Sequence, residues 1–486
     1  MNEAFLKKAE EEKPQLTETV RTVSAERELR EGESVVLDFG VHCVGYPEFC
    51  FSARGSHPDA PALIKIRICE RSEELKESTE DYRGWIGGGW IQEETIREDS
   101  FPCRYACVRR YAFRYIQIEA CALSSKYTLV VEKVSARCVT SAPELIAPVG
   151  NTEAEKRIDA VALRTLSECM QCEFEDGPKR DRRLWLGDLR LQALSNYETF
   201  RHNGLVKRCL YLFAGTADEE GNLSQCVFTS PEPAPDDKGM FDYSLLFVPA
   251  LLEYFEATGD TETAMELLPL AEKQIFLARG QFDGDSVRDS GELGWCFLDW
   301  SLELNKQAGA QAVYIYSERA LARLLRRLGG IPAEYEKDAD RKACAAIRTF
   351  YDPDAGLFRS GAEGQISYAS NVWMTLAGVF DPEENARLLD RLAGCDAAVK
   401  PVTPYMMHYY IQALAENGRT EEAERRMCAY WGGMTDAGAD TFWELFNPDN
   451  PEESPYGGKC VHSYCHAWSC TPSYFIRKYF LREKEE

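Results

Sequence analysis

The chain has 486 residues, 44% of them hydrophobic, with 23 Phe, 23 Tyr and 9 Trp, which is enough to bury large cores and excludes a disordered chain. Lys and Arg number 56 against 80 Asp and Glu, a formal net charge of -24, and such a surface repels phosphate backbones and anionic membranes. No apolar run is long enough to span a membrane, and the start Met-Asn-Glu-Ala-Phe-Leu-Lys-Lys lacks a signal-peptide core, so a cytoplasmic protein with its 18 cysteines reduced is expected.

Residues 1–145 read as β. SVVLDFG (Ser34 to Gly40), ALIKIRICE (Ala62 to Glu70), RRYAFRYIQIEA (Arg109 to Ala120) and YTLVVEKVSARCV (Tyr127 to Val139) are β-branched, aromatic and partly alternating. Clusters of Gly, Pro, Ser and Asp separate them, and that spacing predicts an antiparallel β-sandwich. Between them, GWIGGGWIQEE (Gly84 to Glu94) lacks the strand-to-helix switch of a dinucleotide fingerprint. It reads either as a flexible hairpin loop or as a loop leaning over a neighbouring active site with Trp85 or Trp90 as a lid.

Pro143 and Pro148 mark a linker, and residues 146–486 read as helical. Ile158, Val161, Ala162, Thr165, Leu166, Cys169 and Met170 recur on one helical face. FDYSLLFVPALLEYFEATG (Phe241 to Gly259) and YMMHYYIQALAENG (Tyr405 to Gly418) are strongly apolar helices. ATGDTETA (Ala257 to Ala264) and ENGRTEEA (Glu416 to Ala423) share one design: a helix ends on a glycine, and two residues later a threonine and a glutamate begin the next. Such repeated hairpins build an α/α barrel or an α-solenoid. The long irregular CVFTSPEPAPDDKG (Cys226 to Gly239) is of the kind that walls a site. Cys169 and Cys172 form a CxxC pair without a second ligand pair at zinc spacing, so no metal is expected there.

Several segments combine carboxylates with aromatics, the residue types that grip sugar hydroxyls and stack on sugar C–H faces. Glycoside hydrolysis also needs one protonated and one ionised carboxyl on opposite sides of the scissile bond. EDGPKRDRRLWLGD (Glu175 to Asp188) supplies Asp176, Asp181 and Asp188 beside Arg180, Arg182 and Arg183. Charge content alone would make it an exposed loop with screened ion pairs, but Trp185 and Leu186 inside the run argue for burial. Neighbouring arginines lower a carboxylate's pKa, so some of these aspartates are expected to be permanent anions that hold hydroxyls, while one shielded by Trp185 stays protonated.

Further along, SGELGWCFLDWSLE (Ser290 to Glu303) places Asp299 between Trp295 and Trp300, either as a core helix start or as a sugar subsite. GADTFWELFNP (Gly438 to Pro448) sets Glu444 directly after Trp443, where it is either a paired structural anion or an acid or base of raised pKa. His462 and His466 stand four apart without a third metal ligand, and a hydrogen bond from histidine to a sugar hydroxyl is preferred over a metal. No nucleophile elbow or P-loop occurs.

These segments resemble, in order, the α-L-rhamnosidases of glycoside hydrolase family 78, whose fold is a β-sandwich followed by an (α/α)6 six-hairpin barrel. DGPKRDRRLWLGD follows the family's Asp-Cys-Pro-x-Arg-Asp-Glu-Arg-x-Gly-Trp-x-Gly-Asp stretch with one residue fewer. VLDFGVHCVGYPEF (Val36 to Phe49) and RYAFRYIQIE (Arg110 to Glu119) resemble the sandwich; FDYSLLFVPALLEYFEATGD, VTPYMMHYYIQALAENG, GADTFWE and HSYCHAW resemble later barrel segments. The resemblance implies an inverting exo-glycosidase with domains 1–145 and 146–486, acting on terminal α-L-rhamnosides without a cofactor. Glu444 matches the base; Asp176, Asp188 and His466 match sugar-binding positions. Counted forward from Asp176, the family's acidic Glu falls on Arg182; counted back from Trp185 and Asp188, it falls on Asp181, the preferred assignment. Arg180, Trp185, Asp242, Trp295, Asp299, Trp300 and Trp443 complete the candidate substrate-binding set. Another deoxy or uronic sugar, or a non-catalytic sugar-binding scaffold, are the alternatives. The partner implied is a carbohydrate, with no nucleic acid and no membrane, and a homo-oligomer is compatible with the sequence.

Overall fold

In the computed structural model, which describes residues 1–289, 291 and 293–482, an antiparallel sheet domain precedes a helical domain. The seven strands are β1 (Thr17–Leu29), β2 (Ser34–Gly55), β3 (Ala62–Cys69), β4 (Glu93–Glu98), β5 (Cys103–Ala106), β6 (Tyr111–Ala122) and β7 (Tyr127–Thr140). Their order is β1-β7-β2-β6-β3-β4, with β5 also on β2. The long β2 changes partners along its length. Its first half pairs with β6 up to Gly45, and its second half pairs with β7 and β5, with register shifts at Asp38/Cys43 and Cys50/Phe51. Alternate residues such as Phe49, Phe51, Ile64, Ile66, Ile116 and Leu129 then meet in one apolar core.

Two features of this region escape a reading by β pattern. A helix, α1 (Glu3–Glu11), is capped by Asn2 and packs on the helical domain rather than the sheet, with Phe5 stacked on Tyr211 and Lys8 paired to Glu266. Strand β1 is almost wholly exposed, an edge rich in charged residues and therefore silent to a search for apolar alternation.

The helical domain comprises α2 (Glu153–Cys169), α3 (Leu186–Glu198), α4 (Asn203–Thr216), α5 (Phe241–Thr258), α6 (Thr261–Arg279), α7 (Gln307–Arg327), α8 (Ala333–Phe350), α9 (Tyr368–Leu376), α10 (Pro382–Ala393), α11 (Pro404–Glu416), α12 (Thr420–Asp436) and α13 (Pro472–Phe475). Helix α2 begins with a reciprocal Thr152–Glu155 capping box and buries the face expected from its periodicity. Helices α3, α5, α7, α9 and α11 pack each on the next, and α13 packs back on α3. These are apolar nearly all round, as α11 shows, with every residue but Glu416 buried. Helices such as α8 and α10 carry one buried face and lie outside, packed on the inner helix before or after them. The two Gly-Thr turns are as expected: Gly259 and Gly418 take φ of 70° and 75°, and α6 and α12 begin at Thr261 and Thr420.

Candidate functional site

The charge-rich stretch 175–188 is folded in upon itself at the junction of the two domains. Each charge has a separate task. Glu175 pairs with Arg110 of the sheet domain at 2.6 Å, and the fully buried Lys179 pairs with Glu74 of that domain at 2.5 Å. Asp176 closes the loop, its carboxylate accepting from the backbone N–H of Asp181 at 3.0 Å and of Arg183 at 3.1 Å. Arg180 donates through Nε to Val461 O at 3.0 Å, stands 3.8 Å over the Tyr456 ring, and gives its two terminal nitrogens to Asp181 and Glu444. Arg182 turns back onto Pro178 O at 3.0 Å. A short strand, β8 (Leu184–Trp185), then leads into α3, whose first turn carries Asp188. Gly187 is required between them, because a Cβ there would stand 2.4 Å from the Tyr243 ring.

Around this loop lies a cavity of about 630 Å³. Of the sequence-derived candidates, Asp176, Arg180, Asp181, Trp185, Asp188, Trp295, Trp300, Glu444 and His466 line it. Arg182 does not; the residue facing the cavity at this point is Asp181. Two buried donors on the lining, Trp185 Nε1 and Trp300 Nε1, make no hydrogen bond, and Asp188 Oδ1 and His466 Nδ1 have only their loose contact with each other at 3.6 Å. Donors left this way would carry an uncompensated desolvation cost, which a polyhydroxylated ligand would remove. His466 sits among carboxylates, 3.6 Å from Asp188 and 4.0 Å from both Asp176 and Glu444.

Asp176 and Asp188 are not among the aspartates that neighbouring arginines hold. Neither has an arginine partner, because those arginines are spent on Glu444, Asp181 and a carbonyl. Burial, followed by the charge of Asp181, pushes Asp176 up to about 8 in spite of its backbone hydrogen bonds. Burial and the charge of Asp176 likewise raise Asp188 well above the carboxylate range. Burial and then the charge of Arg180 push the His466 imidazole well below its ordinary value. Glu444 is raised by burial, and Arg180 and the Tyr456 hydroxyl oppose that shift. Its backbone is held by Ser463 O at 3.1 Å and by the Trp468 indole at 2.9 Å.

Three candidates are placed elsewhere, each for a packing reason. Asp242 accepts from Phe297 N and Leu298 N at 3.0 and 2.9 Å, fixing the segment that presents Phe297 and Trp300 to the cavity. Asp299 is surrounded by donors, the backbone N–H of Trp300, Val402 and Thr403 and the Thr403 hydroxyl, and so anchors the start of α11. Burial raises it to about 6. Trp443 is core, packed on Phe446 and Tyr464 with the Arg71 guanidinium 4.3 Å over its ring. Ser290 and Glu292, at the start of the segment containing Asp299, lie outside the described residues.

Of the two readings of the glycine-rich loop, the structure has the one that leans over the cavity. Trp85, Ile86, Gly87 and Trp90 line it, and the Trp85 indole donates to Pro455 O at 2.8 Å while its ring approaches Tyr456 and Trp300. Other lining residues were missed. Trp468, two positions after His466, carried a usable aromatic signal; Tyr456, in the polar PEESPYGGK turn, carried none.

Comparison with known proteins bears on this geometry. Residues 7–138 match the glycosyl hydrolase family 78 alpha-rhamnosidase N-terminal domain, and residues 151–480 match the bacterial alpha-L-rhamnosidase 6 hairpin glycosidase domain. A solved rhamnosidase from Klebsiella oxytoca with rhamnose bound is 42% identical, covers 99% of each chain and superposes with a TM-score of 0.95. A family 78 rhamnosidase from a Bacillus species is 22% identical with a TM-score of 0.78, over 93% of this chain and 47% of its own. A Streptomyces avermitilis alpha-L-rhamnosidase complexed with L-rhamnose is 17% identical with a TM-score of 0.71, over 96% of this chain and 44% of its own. The last two establish a shared fold. A search of curated proteins finds no match.

Proposed function

The chain belongs to the α-L-rhamnosidases of glycosyl hydrolase family 78 and is a glycoside hydrolase, and from that premise we propose that it is an inverting exo-glycosidase releasing terminal α-L-rhamnose from small glycosides. The observation that carries this reading is the pair Asp181 and Glu444, held in one cavity on different nitrogens of the Arg180 guanidinium. Inversion requires the two carboxyls to stand ~6.5–9.5 Å apart, with a water between them and the sugar. Asp181 gives its proton to the glycosidic oxygen as that bond to the anomeric carbon breaks. Glu444 takes a proton from the water that attacks the opposite face. Arg180 and Tyr456 aim the Glu444 carboxylate, and Asp188, His466 and the unpartnered indole N–H groups of Trp185 and Trp300 receive the sugar's hydroxyls.

The packing succession of the helices supports an (α/α)6 barrel of six hairpins, with α3, α5, α7, α9, α11 and α13 inside, and the seven-stranded sheet is read as a β-sandwich. The 18 unpaired thiols suit a reducing compartment, and a cytoplasmic location is proposed on that ground. The test is to follow hydrolysis of an aryl α-L-rhamnoside by NMR. The β-anomer of rhamnose should form first. First formation of the α-anomer would refute inversion, and turnover confined to aryl glycosides of another sugar would refute the choice of rhamnose.

A further inference from the structure

We propose that His42, a residue of the sheet domain, is a positioning residue for the proposed base Glu444 and for His466; the inference rests on the glycosidase reading above. Glu444 and His466 stand on two segments that are bonded to each other. Glu444 N donates to Ser463 O at 3.1 Å, His466 N to Phe442 O at 2.8 Å, and the Thr441 hydroxyl to Tyr464 O at 2.9 Å. Neither segment lies in a helix or strand, so no regular ladder fixes them, and their place depends on side-chain contacts. His42 reaches both. Its backbone N–H donates to Asp440 Oδ2 at 2.8 Å, four residues before Glu444. Its Nε2 stands 3.1 Å from Glu70 Oε1, and the other Glu70 oxygen accepts from Tyr464 N at 2.7 Å, two residues before His466. The Thr165 hydroxyl, which holds Phe442 N at 2.8 Å, grips one segment; His42 ties the two together.

Local structure frees His42 for this task. The register of β2 against β6 runs from Asp38 opposite Tyr115 to Cys43 opposite Phe113, so the chain bulges between them, and Gly40 takes the φ of 77° that the bulge needs. The His42 N–H is thereby spared from the ladder and turned to the helical domain. Its side chain and that of Glu70 are fully buried, and a carboxylate can only accept, so Nε2 carries the hydrogen between them. That bond aims the carboxylate. Lys179 Nζ stands 3.8 Å from the same Glu70 oxygen that holds Tyr464 N. Without His42 on the opposite oxygen, Glu70 would keep a buried lone pair without a donor and would be free to swing toward Lys179, away from Tyr464. His42 itself does not line the cavity, so it acts through the two segments and not on the sugar.

The experiment compares His42→Gln with His42→Asn. Both are neutral amides, but the glutamine nitrogen falls near the place of the imidazole Nε2 and keeps a donor on Glu70, whereas asparagine is one methylene too short. kcat and KM are measured on para-nitrophenyl and dinitrophenyl rhamnosides, with circular dichroism showing each variant folded at the assay temperature. His42→Asn should lower kcat ~10-fold on both substrates alike, because displacing the base costs the same whatever the leaving group. His42→Gln should return kcat to within about threefold of the unmodified chain. A role in stability alone would leave the kinetic constants of the folded enzyme untouched, so a folded His42→Asn with unchanged kcat and KM overturns the proposal, as does a His42→Gln no better than His42→Asn. If His42→Asn does not fold, Glu70→Asp, which withdraws the carboxylate from Tyr464 N, takes its place with the same expected loss and the same refuting result. If the unmodified chain hydrolyses neither rhamnoside, the glycosidase reading itself fails, a result distinct from an active chain whose variants match it.

Discussion

Glu444→Gln separates a base from a binder. The amide has the same shape and keeps an acceptor oxygen for Tyr456 or Arg180, but it cannot take a proton from water. Removal of a general base costs ~10²–10⁴ in kcat, or about 3–5 kcal/mol in the barrier. Stability should change far less than the ~3–5 kcal/mol of a broken buried ion pair, because Arg180 keeps Asp181, Val461 O and the Tyr456 ring. Burial also already penalises the charged form of Glu444, so the neutral amide recovers part of that cost. A net loss of about 1–2 kcal/mol is expected. The assays are kcat on an aryl rhamnoside, rhamnose Kd by calorimetry, and urea unfolding. The groups proposed to hold the sugar are those of Asp188, His466, Trp185 and Trp300, so Kd should stay within about threefold. A kcat loss below about tenfold refutes the base, and a Kd weakened as much as kcat would make Glu444 a binding residue instead.

Asp181→Asn should slow rhamnosides with poor leaving groups by ~10²-fold or more while sparing dinitrophenyl rhamnoside, whose leaving group needs little protonation; equal losses on both would remove Asp181 as the acid. Asp176 carries a pH signature. Its folded pKa of about 8 lies above an unfolded value of about 3.9, so between those limits the unfolded chain gives up a proton that the folded chain keeps, and stability falls as pH rises through that window. Asp176→Asn should lose stability at the acid end of that window, since an amide cannot accept both backbone N–H groups, and show a flatter decline in urea midpoint from pH 5 to pH 8; an identical decline sinks the argument. Asp299→Ala should cost ~2–4 kcal/mol of stability through its lost donors at the start of α11 and leave kcat of the folded enzyme within about twofold, whereas a large KM increase on aryl rhamnosides would return Asp299 to the sugar.

What the sequence discloses divides by the range of the interaction. The Gly-Thr hairpin turns and the α2 capping box are local, and their chemistry is complete within a few residues. The loop with Trp-x-Gly-Asp is legible because backbone constraints, such as the close approach of Tyr243 to Gly187, fix residue types at fixed spacing. Asp242, Asp299 and Trp443 show the limit. Each stands in an aromatic, carboxylate-bearing window of the kind that makes sugar sites, but such a window also makes buried anchors. The deciding partners, Phe297 N for Asp242 and Thr403 for Asp299, are 55 and 104 positions away. Tyr456 is the converse: its hydroxyl reaches Glu444 from a turn with no pattern to mark it.

The run of charges from Glu175 to Asp188 is therefore not a solvated face, and arginines hold Glu175 and Asp181 but not Asp176 or Asp188. Charges that look equivalent in sequence are distributed by distance. Glu175 and Lys179 bolt the loop to Arg110 and Glu74 of the sheet domain, Asp176 is consumed in shaping the loop, and Arg180 alone reaches both proposed catalytic carboxylates. Because a buried Lys179 or Glu74 without its partner would cost several kcal/mol, the loop takes its working shape only with the two domains docked. The sheet domain also brings Trp85 and Trp90 to the cavity and places the buried Glu70 on Tyr464 N, two residues before His466. It supplies no proposed acid or base, yet it fixes the position of both: Asp181 follows the Lys179 anchor by two residues, and Glu444 is held by the Arg180 between them.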